Sequence, residues 1–256
     1  MAEVCLRMEV SDKVALVTLD RPPVNALSRE MRHQIVATFD EISARDDIMC
    51  AVLTGQGKVF CAGADLKDRP DNDIPGDFLE HNRITRETGN AIRECAKPVI
   101  AAVNGAALGA GLGLAAACDI MYACDEATFG MPEINVGLAG GASMLRTLFG
   151  RSTIRRMFFS GQRLSAADLL RRNALEDVLP SEQLLPFTMA LARDIAAKAP
   201  LALVYAKRAA NMVDVMPQRD AYRFEQEFTM MLSKTEDARE ARMAFLEKRP
   251  PQFKGR

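Results

Sequence analysis

The chain has 256 residues, 48% of them hydrophobic and 26% charged, with 33 basic against 34 acidic side chains and a formal net charge of −1. These values describe an ordinary globular protein and exclude collagen, coiled coil and intrinsic disorder, while the balanced charge supplies no general field for drawing in polyanions. The length suffices for one large domain or two small ones, each able to bury a core.

Six cysteines, at positions 5, 50, 61, 95, 118 and 124, form no C-x-x-C pair, so no zinc ribbon or thioredoxin-type redox pair is indicated and they read as reduced thiols. Glu3, Arg7 and Glu9 interrupt any apolar leader of the kind a secretory signal needs, which reads as a cytoplasmic protein. The uncharged stretch from Pro98 to Cys118 meets the length test for a membrane helix. Asn104 and four glycines (105, 109, 111 and 113) divide it into a β-branched run, a polar turn and a small-residue run, which suits a buried strand, a loop and a buried helix.

In chain order, Val4 to Val10 and Val14 to Leu19 predict a hairpin, closed by Pro22 and Pro23. Ser28 caps a helix to about Ala44, in which Met31, Ile35, Phe39 and Ile42 recur at helical spacing. A strand at Cys50 to Leu53, a helix over 78–95, a strand at Val99 to Val103, a helix from near Gly109 and a strand at Ile120 to Ala123 follow. Ser143 to Phe149 then predicts a further apolar helix. This alternation argues for an α/β core. From Ser152 onward strand signals largely disappear, a capping box at Ser165 and Asp168 starts one helix, and helices are predicted over 182–198, 201–213, 218–232 and 236–247.

Three glycine-bearing turns follow apolar runs: Phe60 to Leu66, Asn104 to Gly111, and Phe129 to Glu133. Small residues there let a ligand approach the backbone, and amides exposed where a turn opens a helix can donate to an anion. Tight turns with close packing give the same composition. The spacing of Gly109, Gly111 and Gly113 is G-x-G-x-G, not the G-x-G-x-x-G of a dinucleotide site.

Taken in order, these segments resemble the enoyl-CoA hydratase/isomerase, or crotonase, superfamily. The resemblance rests on Asp20-Arg21-Pro22 with Asn25-Ala26-Leu27, the Phe60 to Leu66 turn, Lys97 to Gly105, Cys118-Asp119-Ile120, the Phe129 to Gly137 segment and the ending Ala244 to Arg249. It implies a ClpP/crotonase-like α/β core of repeated ββα units over residues 1–195 and a C-terminal helical trimerisation region over 196–256. It also implies an acyl-CoA enzyme that stabilises a thioester enolate between two main-chain N–H groups, here Ala62 and Ala110, with Glu133 as acid/base. CoA is expected along the backbone of Ala26, Ala64, Asp65 and Leu66, with Lys248 at its phosphates; the Asp65 carboxylate reads more simply as a helix N-cap or turn former than as a ligand contact. The expected partners are the acyl-CoA substrate and further copies of the chain in a trimer or dimer of trimers. No metal and no cofactor beyond the CoA of the substrate are expected.

One departure matters. Hydratases of the family carry two glutamates; the second matches Glu133, and the first falls on Gly113. Water addition uses a base for the water and an acid for the α-carbon, whereas a double-bond shift needs one carboxylate that takes a proton from one carbon and returns it to another. The expectation is therefore hydration or isomerisation by Glu133 alone, with a thioester hydrolase or lyase, or a weakly catalytic CoA- or RNA-binding member, as alternatives. A replacement acid from the segment holding Asp68, Asp71, Asp73, Asp77 and Glu80 is the other way to fill the gap; that segment reads more simply as a solvated loop. His33 and His81 are expected at the surface. The run Arg151, Arg155, Arg156, Arg163, Arg171 and Arg172 reads as solvated helix faces. With Tyr122, Tyr205 and Tyr222 the only tyrosines and no tryptophan, a nucleic-acid partner is not expected.

Overall fold

A computed structural model describes residues 3–256. The hairpin pairs β1 (Leu6–Ser11) with β2 (Val14–Leu19) antiparallel, Leu6 opposite Leu19 and Ser11 opposite Val14. The two linking residues, Asp12 and Lys13, both adopt positive φ, 51° and 64°, as a two-residue turn matched to strand twist demands.

Beyond the hairpin the sheet becomes parallel. Its order is β1-β2-β3-β4-β6-β9, with β3 at Cys50–Gly55, β4 at Val99–Val103, β6 at Ile120–Cys124 and β9 at Asp177–Leu179. Parallel neighbours need crossovers, supplied by α1 (Arg29–Ala44), α2 (Asp77–Arg93) and α3 (Ala110–Ala117). Every residue of β3 and β4 is buried, which explains why they read as unbroken apolar runs instead of alternating ones. Helix α6 (Ser181–Ala196) lies across β2, β3, β4 and β6, while α1 packs on α2 and on β1.

A second, three-stranded sheet is ordered β5-β7-β8, from Ala107–Leu108, Thr128–Gly130 and Arg163–Ser165. It ties the second glycine turn to the segment that precedes Glu133. The short β8 and β9 are strands that the sequence beyond Ser152 did not signal, because three residues carry no readable period. The helix expected over 143–149 is corrected to a single 3₁₀ turn, Ala142–Leu145, and the regular helix starts later, α4 at Arg151–Ser160. Gly140 and Gly141 precede that turn, Gly141 at φ 90°, and Gly150 separates it from α4. The capping box predicted at Ser165 is present and opens α5 (Ala166–Leu170).

The main apolar core runs along the chain from Cys5 to Ala196. Helices α7 (Pro200–Val213), α8 (Gln218–Leu232) and α9 (Glu236–Glu247) follow. Tyr205 of α7 stacks on Phe228 of α8 at 5.0 Å between ring centres, and Phe224 meets the same ring edge-on at 4.7 Å. The Lys207 side chain, 3% exposed, places Nζ 2.6 Å from Asp119 Oδ2, which also accepts from the Val99 N–H at 2.7 Å. Asp119 of the Cys118-Asp119-Ile120 motif thus joins β4, β6 and α7. Tyr222, Met230, Phe245 and Leu246 stay exposed on α8 and α9. Among the described residues no helix is long and apolar enough to cross a membrane.

Candidate active site

The site lies beyond the carboxyl ends of β3 and β4, where parallel sheets place ligands. Two asparagines hold the chain there. Asn104 receives the Gly55 N–H at 3.1 Å and donates to Gly55 O and Gly57 O, both at 2.8 Å. Asn25, 1% exposed and at φ 52°, donates to Gln56 O at 3.0 Å and Val59 O at 2.7 Å. The first two turns then meet backbone to backbone, with Cys61 bridged to Ala107. Gly63 makes the approach possible: at φ 100° it lies where a Cβ would be 2.7 Å from Leu108 O.

This contact puts Ala64 and Ala110 on the wall of one cavity of about 340 Å³, together with Glu133. Ala110 is the first residue of α3, so its N–H has no partner within the helix. Ala64 bridges Leu27, but the bridge uses Gly63 O and the Asp65 N–H and leaves the Ala64 N–H free among the described residues. The expected donor Ala62 is corrected here. Its N–H donates to Val24 O at 3.0 Å, and it does not line the cavity. Sequence shows neither which amide a bridge consumes nor which it spares.

Glu133 sits in a 3₁₀ turn, Pro132–Val136, that follows β7. Its carboxylate rests against the Cα of Gly109, a residue at φ 53°, where any side chain would collide with Oε1. Oε2 is buried and has no hydrogen-bond partner among the described residues. Burial pushes the carboxyl above its ordinary range, because charge there lacks water and receives little in exchange. Gly113 faces the same region, but a Cβ on it would lie 2.7 Å from Met144 Sδ, so a thioether fills the adjoining space.

The opposite wall comes from α1 and α2. The 68–80 segment does fold over the cavity, yet it contributes Arg69, Pro70 and Phe78 and none of its acids. Asp68 accepts from the Arg29 N–H, and Asp77 pairs with the Arg29 guanidinium at 2.6 Å. His81, expected at the surface, lines the cavity beside Arg32 and Thr85 and is a site residue that sequence reasoning missed. Its pKa is lowered by burial and by Arg32 and Arg29 nearby, which keeps the ring neutral near pH 7. A period placing His81 and Thr85 four apart on one face of α2, with Ile84 and Thr88 buried alongside, was the available signal. Cys61, in the first turn, is fully buried with its thiol pushed up to about 12, which removes it as a nucleophile.

The sequence model of enoyl-CoA hydratase/isomerase matches residues 9–256. The chain belongs to that family. It is similar to the (7aS)-7a-methyl-1,5-dioxo-2,3,5,6,7,7a-hexahydro-1H-indene-carboxyl-CoA hydrolase of Mycobacterium tuberculosis, 36% identical over 235 residues, covering 92% of this chain and 95% of the relative. It is 36% identical over 248 residues to the 2,3-dehydroadipyl-CoA hydratase of Escherichia coli, covering 95% and 96%. A crystal structure of an enoyl-CoA hydratase subunit I from Geobacillus kaustophilus HTA426 superposes with a TM-score of 0.91 at 35% identity, covering all of both chains. The fold is that of the crotonase superfamily, and the protein is an acyl-CoA enzyme of it.

The residues expected at CoA in this enzyme family divide. Ala64 lines the cavity; Asp65 is occupied as a turn former, accepting the Lys67 N–H at 2.9 Å and pairing with Arg21 at 2.9 Å, and both interactions hold its carboxyl below the usual range. Ala26 and Leu66 lie outside the cavity lining, Ala26 O accepting from Arg21 Nη1 and Leu66 being exposed. Lys248 ends α9 at φ 54°, exposed and outside the cavity lining.

Proposed function

We propose that the cavity at Ala64, Ala110 and Glu133 is the acyl-CoA site, that the thioester oxygen lies between the two alanine N–H groups, and that Glu133 is the single acid/base. The observation that carries this reading is a buried carboxylate oxygen, without a partner among the described residues, in the same cavity as two alanines whose N–H groups have no acceptor among those residues. Preorganised donors of this kind are worth about 3 kcal/mol each at a developing oxyanion. Neither side chain matters to the donation, which is why alanine serves at both positions.

The position of the family's first glutamate is assigned to Gly113, which has no proton to move. With Glu133 alone, the reaction best matched is a double-bond shift in an enoyl-CoA: Glu133 removes a proton from one carbon, the enolate rests on the two amides, and the same carboxyl returns the proton to the other carbon. A raised pKa suits the task, since the carboxyl must both take and give the proton near neutral pH. Hydration is the second reading, supported by the hydratases among the relatives. The reading extends to assembly: the apolar side chains left exposed on α8 and α9 suit a trimer or dimer of trimers, in which Lys248 reaches the CoA phosphates across a subunit boundary.

Incubating a panel of enoyl-CoA esters in deuterated, oxygen-18 water and reading products by mass spectrometry tests this. Deuterium without oxygen-18 is the expected result. Oxygen-18 in the intact thioester indicates hydration, and oxygen-18 in a free acid indicates hydrolysis and overturns the proton-shuttle role.

A further inference from the structure

The α1–α2 wall of the cavity carries groups that proton transfer at the thioester does not use. Arg32 is 2% exposed, yet its side chain lines the cavity and also a narrow extension of about 20 Å³ that reaches Ala110 and Gly113. Its Nη1 donates to Leu27 O at 2.6 Å, a main-chain carbonyl that neutralises no charge. Among the described residues no carboxylate pairs with it. The acids around it are committed elsewhere: Asp65 to Arg21 and the Lys67 N–H, Asp68 to the Arg29 N–H, Asp77 to the Arg29 guanidinium. Beside it Thr85 Oγ1 and His81 Nδ1 are buried with no hydrogen-bond partner among those residues.

A buried guanidinium without a counter-charge is costly to the fold, and its remaining N–H groups form a planar fork matched to a carboxylate. A hydrocarbon tail placed here would leave Arg32, Thr85 and His81 all unsatisfied in a dry wall. An oxyanion on the ligand matches the guanidinium fork, with the Thr85 hydroxyl and, in its Nδ1–H tautomer, His81 beside it as further donors. We propose that the acyl group of the substrate carries a carboxylate of its own, taken by Arg32 with Thr85 and His81, while the thioester end faces Ala64 and Ala110. This rests on the reading of the cavity as the acyl-CoA site.

Calorimetric titration with unreactive saturated esters in matched pairs tests it: succinyl-, glutaryl- and adipyl-CoA against butyryl-, valeryl- and hexanoyl-CoA. The expected result is that the carboxylated member of the best-fitting pair binds at least about 30-fold more tightly, because a site built for a polar group penalises the analogue lacking it. In Arg32→Met that ratio falls to about one, and in Arg32→Lys, which keeps the charge without the fork and guards against a folding defect in the first variant, it falls part of the way. Equal or weaker binding of the carboxylated esters at every length overturns the inference and leaves the acyl-CoA site standing. A preference that survives in Arg32→Met overturns the assignment to Arg32. Failure of both series to bind overturns the acyl-CoA site and the inference together.

Discussion

Two polar regions a few turns apart in the chain treat hydrogen bonding in opposite ways. In the frame, Asn25 and Asn104 at the carboxyl ends of the strands and Asp119 at the amino ends of β4 and β6 spend their side chains on named main-chain groups or on Lys207. In the cavity, Glu133 Oε2, His81 Nδ1 and Thr85 Oγ1 are buried with no partner among the described residues, and Arg32 carries a charge with no carboxylate opposite among them. The motif segments of the sequence hold Asn25, Asn104, Asp119 and Glu133, whereas Arg32, His81 and Thr85 lie on the helices between them. Satisfaction separates them: the satisfied polar groups hold the fold, and the unsatisfied ones are those we propose to meet a ligand.

The sharpest division between the two regions is expected at Glu133. Glu133→Gln removes the proton carrier and lowers kcat/KM by about 10³- to 10⁴-fold, yet it stabilises the fold. The sign follows from burial. The native state holds the Glu133 proton more tightly than the unfolded chain does, so stability falls as pH rises from the unfolded carboxyl's range through the raised folded one. Above the folded carboxyl's raised range the wild type bears that whole cost, and the amide does not; thermal melting followed upward from pH 4 should show the variant's advantage growing with pH. The wild-type kcat/KM should fall on acidification at a higher pH than a solvated glutamate would give.

The frame should behave in reverse. Lys207→Met leaves Asp119 without its ammonium and costs about 3 kcal/mol of stability, read by denaturant titration. Activity per folded molecule stays near wild type. If instead turnover collapses in protein that is fully folded, the frame is not merely a frame.

Gly109→Ala stands between the regions. The new methyl would overlap Glu133 Oε1 at a backbone angle that disfavours any side chain, so Glu133 must move; a loss of about 10²-fold in kcat with little change in KM is expected. Gly113→Ala should be mildest. Its methyl meets only Met144 Sδ, the middle of a flexible side chain, and a cost below about 1 kcal/mol is expected from a melting curve.

Much of the frame was legible in the chain. Ser28 as a cap accepting from the Met31 N–H, the Asp12-Lys13 turn and the continuous apolar runs of β3 and β4 each express a local rule. Glu133, Ala110 and Ala64 were legible as positions because the glycine turns resemble a family. The choice of Ala62 as a donor failed because main-chain accounting is tertiary: the Val24 carbonyl that consumes the Ala62 N–H lies in a separate loop, brought near by Asn25. His81 and Arg32 were missed for a related reason. Charged and ionisable residues on an amphipathic helix default to solvent, and only the crossing of α1 over α2 turns them inward. The 143–149 segment failed by composition, since its apolar residues suit a helix while the glycines on either side stop one from propagating.

The central claim is that one carboxylate moves the proton and two alanine amides hold the charge. The most direct measurement is exchange of the α-hydrogens of a saturated acyl-CoA in deuterium oxide, followed by mass spectrometry, with wild type and Glu133→Gln at equal folded concentration. Deuterium entering with wild type, and slower by about 10³-fold or more with the variant, is the predicted result. Exchange at equal rates in the two proteins would contradict it.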